Sequence, residues 1–224
     1  MDSNADFNKR LYCRIRHIPI IGAVFRIVNA YAYQGDKSCN EKIAPFRKWW
    51  ERIFKKAVYI FFLIELVVLY YGGDVSKVPW EAADSILSVF PSVLGFGIGV
   101  FALLFVMPES FLVFMSTNRE KLTFGPEIVP VDIAYPLVVF TLALCWSVIN
   151  KAFINDFFSF VSMFFFFYGM AMAFELISFL FNSSLLIQKI SYEEYLKKKT
   201  LIRKLIGLID GIGNSFLWLI EFSI

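Results

Sequence analysis

Apolar residues in this chain fall into long runs, and charged residues gather between the runs and at the two ends. A helix needs about 20 residues to cross the hydrocarbon core of a bilayer. Four runs meet that need. The first is "FKKAVYIFFLIELVVLYY", Phe54 to Tyr71, and the second covers Ile86 to Met107. The third is "DIAYPLVVFTLALCWSVI", Asp132 to Ile149, and the fourth extends from Phe157 to about Leu186. The pattern predicts an all-α integral membrane protein with four transmembrane helices and amphipathic helices at each end. Its predicted parts are a basic N-terminal region over 1–53, a four-helix membrane domain over 54–186 and a C-terminal helical region over 187–224.

Short patterned segments flank the spans. In "PFRKWWERIFKK", residues 45 to 56, the positions of Phe46, Trp49, Trp50, Ile53 and Phe54 repeat at helical spacing. They predict a basic amphipathic helix leading into the first span. Trp49, Trp50, Lys55 and Lys56 are its expected membrane-surface residues, the lysines with stems in lipid and heads at the interface. Upstream, "IIGAVFRIVNAYAY" is apolar but holds Arg26 and Asn29, which predicts an interfacial or partner-packing helix. Downstream, Ser191 and Glu194 have the spacing of a capping box, which predicts a helix start. The "DGIGN" segment, residues 210 to 214, predicts a turn between two short apolar helices.

Charge sets the expected orientation. Twenty of the 22 Lys and Arg residues lie in the two ends and in the loop between spans two and three, which holds Arg119 and Lys121. Lys77 and Lys151 occupy the other two loops. Positive residues favour the cytoplasmic side, so both termini are expected in the cytoplasm and the chain in the cell inner membrane. The N-terminal segment has no apolar region followed by a small-residue cleavage site, so insertion is expected to use the internal spans.

Within span two, Gly95, Gly97 and Gly99 raise the question of a phosphate loop. The spacing misses the dinucleotide fingerprint by one position, and no lysine follows as in a nucleotide-binding loop. Read as a helix, Ser88, Ser92, Gly95, Gly99 and Ala102 form one stripe of small residues. Such stripes let helix backbones approach closely in lipid. The expectation is tight packing, within the bundle or against a second copy in a homo-oligomer; Pro91 and the glycines also permit a hinged or pore-lining helix.

Two acids lie inside the runs. Glu65 is placed near the middle of span one, and Glu175 nearer the cytoplasmic side of span four. An intramembrane carboxylate is costly and marks either a functional site or a protonated, hydrogen-bonded group. No Arg or Lys is expected at the depth of either one.

Composition narrows the chemistry. Hydrophobic residues make up 58% of the 224 positions, above the share usual in soluble domains. The only histidine, His17, and the cysteines Cys13, Cys39 and Cys145 form no metal-ligating or redox pattern. No catalytic constellation is legible, so the chain is expected not to be an enzyme, with no cofactor and no metal. The expected partners are the lipid bilayer, further copies of the chain and a cytoplasmic protein, with no direct nucleic-acid binding.

The segment "FPSVLGFGIGVFALLF", residues 90 to 105, on a span flanked by basic cytoplasmic ends, resembles small polytopic membrane proteins of bacterial antiviral systems. Retron-associated membrane effectors and the membrane subunit of Kiwa systems share this architecture, mainly over residues 86 to 149. The first resemblance implies disruption of the inner membrane on infection. The second implies a membrane sensor and scaffold that recruits a cytoplasmic, nucleic-acid-binding partner. A small ion channel with no immune role is the alternative.

Overall fold

A computed structural model of the chain describes residues 3–103, 113, 127–153 and 155–221, and all regular structure among them is helical. The chain divides into two compact units, residues 1–179 and 180–224. The first unit holds α1 (Ser3–Arg16), α2 (Ile21–Ala32), the short α3 (Phe46–Trp49), α4 (Lys55–Tyr70), α5 (Ala82–Leu103) and α6 (Ile128–Ala152). The last helix, α7, runs from Asp156 to Glu221 and so passes from the first unit into the second.

Among the described residues, three helical segments are long and apolar enough to cross a membrane: Ala82–Ala102, Ile128–Ala152 and Asp156–Thr200. The α4 helix has 16 residues, or about 24 Å at the usual rise per residue. A π-helical turn over Trp50–Phe54 joins it to α3 without a break.

That turn divides the amphipathic face expected over 45–56. Ile53 is buried, and Trp49 donates its indole N–H to the Ala44 carbonyl at 3.1 Å. Phe46, Trp50 and Phe54 stay exposed, with Phe46 packed on both of the others. A π turn adds a residue to the ring that each hydrogen bond closes, which rotates the next residues out of the α-helical stripe. Of the expected surface residues, Trp50 and Lys55 are exposed, whereas Trp49 turns towards the α2 residue Phe25.

Helices α4, α5, α6 and the first part of α7 alternate in direction around an aromatic core. Phe90 of α5 packs edge-on to Phe140 of α6 and parallel to Phe166 of α7. A Cβ on Gly169 would sit 2.5 Å from the Phe90 ring, so only glycine leaves room for it. Ile60, Ile64 and Val68 of α4 join the same core, and Phe61 packs edge-on to Phe160. On α5, Gly97 is the glycine that packs closely, against Leu137 of α6.

The small-residue stripe lies on the other side of α5. Ser88, Ser92, Gly95, Gly99 and Ala102 are all exposed, and a Cβ on Gly95 or Gly99 would meet nothing within 4 Å among the described residues. Packing of the stripe within the bundle is therefore corrected: the inward face is set by Ile86, Phe90 and Gly97 instead. The end of the expected second span, as far as Met107, and the loop residues Arg119 and Lys121 lie outside the described residues.

Ahead of the bundle, a γ-turn at Ile20 (φ 65°, ψ −60°) leads α1 into α2, with the Ile21 N–H donating to the Pro19 carbonyl at 2.7 Å. The fully buried Asn29 fixes the segment after α2. Its amide donates to the Cys39 and Lys42 carbonyls at 2.9 and 3.0 Å and accepts from the Ala44 N–H at 2.8 Å.

The C-terminal expectations are also corrected. Helix α7 continues through Ser191 and through residues 210–214, with neither a new start nor a hairpin. A glycine inside a helix costs only about 1 kcal/mol relative to alanine, and no proline comes after Pro136 to enforce a stop.

Candidate functional site

The strongest concentration of interacting charge sits where α2, the π turn, α4, α6 and α7 meet. Arg52, on the π turn, reaches the Asp132 carboxylate of α6 at 2.5 Å. One helical turn on, Lys56 forms an ion pair with Glu175 of α7. Between the two pairs stands Tyr31 of α2. Its hydroxyl donates to Glu175 Oε2 at 2.9 Å and accepts from Lys56 Nζ at 2.8 Å. The Arg52 guanidinium lies 4.2 Å above the same ring. Tyr135 also stacks on that ring, at 3.8 Å and 8°. The Tyr135 hydroxyl in turn shares a 2.6 Å hydrogen bond with Tyr168.

Local structure explains how these groups converge. Arg52 and Lys56 are four residues apart and so project from neighbouring turns of one helix. Asp132 lies in the second turn of α6, and Pro136 four residues later has no N–H to give its carbonyl. Tyr31 comes from the last turn of α2, whose position is set through Asn29.

Electrostatically the node is balanced, with two cations against two carboxylates. The Arg52 and Asp132 side chains are only 24% and 20% exposed. Partial burial weakens hydration of each ion and strengthens attraction between them, so losing one partner is costly. Burial, and then the Glu175 carboxylate, push the Tyr31 phenol well above its ordinary value. It stays a hydroxyl and can both donate and accept. One donor is unmet: Arg52 Nε is buried without an acceptor among the described residues. A network with one unmet donor has an incentive to rearrange.

The structure corrects two expectations here. Glu175 does have a cation at its depth, Lys56, and Lys56 is a member of this node and not a free membrane-surface lysine. Glu65 is elsewhere on α4, half-buried, with no hydrogen bond or ion pair among the described residues. Sequence reading did not identify Tyr31, Arg52, Asp132, Tyr135 or Tyr168 as members of a site. The signal was there in outline: Arg52 just precedes the first run and Lys56 opens it, Asp132 begins the third, and Glu175 approaches the end of the fourth.

A second charged group occupies the far end of α6. Lys151 bonds Glu81 at 2.5 Å and the α5 residue Asp84 at 2.8 Å. Nineteen residues separate Asp132 from Lys151, so the two groups stand about 28 Å apart along the helix. No charged residue lies between them on α6. Among the described residues, no group of His, Cys, Asp and Glu is arranged to hold a metal.

No protein family, no curated protein and no solved structure matches this chain.

Proposed function

We propose that the chain is an oligomeric inner-membrane effector or sensor of a bacterial antiviral defence system. In this reading it acts by perturbing the membrane or by recruiting a cytoplasmic partner. The observation that carries the proposal is the insertion of Tyr31, from a helix outside the long apolar segments, into the ion-pair node of the bundle. A pull on the N-terminal helices would withdraw the hydroxyl that bridges Lys56 and Glu175. In this reading the node is the element that a cytoplasmic event biases.

The same charges support four crossings with both termini in the cytoplasm. Lys56 belongs to the node, and Glu81 belongs to the Lys151 group at the other end of α6. The chain between them, which is α4 and its following loop, has to travel from one end of the bundle to the other. The separation of about 28 Å is close to the roughly 30 Å of a hydrocarbon core. The outward face of Gly95 and Gly99 supports assembly through a second copy, in keeping with small-residue packing in lipid.

Regulated expression in a bacterium, with membrane potential and growth followed together, tests the function. An effector depolarises the cell, and Tyr31→Ala does so at a lower expression level than the wild type. Unchanged potential with both proteins contradicts membrane perturbation and leaves recruitment, to be sought by cross-linking from the N-terminal helices. Gly99→Leu should abolish cross-linking between copies if α5 forms the oligomer contact. The channel reading rests on Glu65, half-buried and without a partner among the described residues; it predicts an ion-selective conductance that Glu65→Gln removes.

A further inference from the structure

The end of the bundle away from the node contains a cavity of about 380 Å³, within the size range of small-molecule sites. Trp80, Glu81, Asn150, Lys151, Asp156 and Met163 line it. We propose that this cavity binds an organic ammonium ion with an apolar body. The inference stands apart from any immune role and uses none of the node residues.

Charge selects the sign of the ligand. Lys151 is the one cation in the lining, and its ammonium is already held by Glu81 at 2.5 Å and Asp84 at 2.8 Å. Asp156 makes no hydrogen bond or ion pair among the described residues, so its carboxylate is available. The lining thus holds two carboxylates, Glu81 and Asp156, against one ammonium that Asp84 also engages, a balance that repels an anion and attracts a cation. A divalent metal needs several oxygen ligands at once, and no such group is assembled among the described residues.

The apolar part of the lining selects an organic cation. Trp80 is fixed before any ligand arrives: its indole N–H donates to Ser85 Oγ at 2.8 Å. Its ring also meets Phe166 and Phe167 edge-on, at 4.9 and 5.9 Å. A fixed indole in a lining that also carries carboxylates favours an ammonium, which the negative charge of a ring face attracts. Asn150, almost fully buried, is held by Ser162 at 2.9 Å and gives the cavity a rigid polar floor. Met163 supplies an adaptable apolar contact for the body of the ligand.

Two sources share this chemistry, a soluble amine and the ammonium of an amine-headed lipid. The test uses the full chain in nanodiscs of phosphatidylglycerol, which carries no amine, with radiolabelled phenethylammonium as the probe. Saturable binding is expected. Asp156→Asn, at an exposed position, should weaken it about tenfold while elution from a sizing column stays unchanged. Phenylacetate, with the same ring and the opposite charge, should not compete. If added phosphatidylethanolamine displaces the probe, the source is a lipid headgroup; if not, it is a soluble amine. Either result upholds the proposal. Absence of saturable binding, equal binding by Asp156→Asn, or competition by phenylacetate overturns it.

Discussion

At one end of α6, Asp132 belongs to a network in which Arg52, Tyr31, Lys56 and Glu175 all touch one another or share a partner. At the other end, Lys151 stands between Glu81 and Asp84 beside an open cavity. Both ends use short ion pairs. They differ in exposure: Asp132 is 20% exposed, whereas Glu81 and Asp84 are 71% and 61%. They also differ in aromatic cover, since the Tyr31 and Tyr135 rings stack in the node. Similar distances therefore imply different energetics. A partly buried pair punishes removal of one partner, because the other is left without compensation. An exposed pair is already solvated and loses little.

The sharpest way to break this contrast is to unbalance the node. Asp132→Ala should lower stability by about 4 kcal/mol, because Arg52 loses its carboxylate partner. Thermal unfolding in detergent would report it. The double change Arg52→Met with Asp132→Leu should recover most of the loss. If the single change costs no more than the double, burial at the node is not what makes the pair matter.

The aromatic layer between the ends gives the next largest effect. Gly169→Ala would place a Cβ 2.5 Å from Phe90, which is itself confined by Phe140 and Phe166. A loss of about 2 kcal/mol is expected in the same melts. Gly95→Ala, where a Cβ meets nothing within 4 Å, is the matched control and should not reproduce it.

Tyr31→Phe keeps the ring stack but removes the hydroxyl, at an expected cost of about 1 kcal/mol. The raised pKa fixes the pH dependence of that contribution. It is fully present below the ordinary phenol value of 10.0 and is lost as pH rises through the higher folded value. Tyrosinate absorbance should accordingly show one fewer late-titrating phenol in the variant. Equal alkaline titrations would mean that Tyr31 is not held as described.

The smallest change belongs to the open end. Lys151→Gln should leave the melting temperature within the scatter of repeat measurements, since its pairs are exposed. A loss as large as that of Asp132→Ala would erase the distinction between the two ends.

Much of the helical content was legible because long apolar runs have few alternatives to helices. The π turn was not, since periodicity assumes a constant register and Trp50–Phe54 changes it. Around that turn Ile53 is buried and Trp49 half-buried, whereas Phe46, Trp50 and Phe54 stay exposed, although the Trp49 and Phe54 rings still stack. Glycines were a mixed signal. The Gly95 and Gly99 spacing was visible, but which face of α5 meets α6 is decided by Phe90 and Gly97, whose partners lie far along the chain. The node was hidden for the same reason: Arg52 and Asp132 are 80 positions apart, and each taken alone reads as an ordinary charge at the end of an apolar run. At the C-terminus, local turn and capping signals were outweighed by continuation of an established helix, which avoids the cost of new helix ends.

In the proposed topology the two charged groups bracket a bilayer and α4 crosses it. Single cysteines in a chain with Cys13, Cys39 and Cys145 replaced by alanine test this directly, using a membrane-impermeant maleimide on intact cells. Ser76→Cys and Asn155→Cys should label from outside, whereas Lys42→Cys and Thr200→Cys should label only after permeabilisation. Protection of Ser76→Cys equal to that of Lys42→Cys would place both ends of α4 on one side of the membrane and contradict the account.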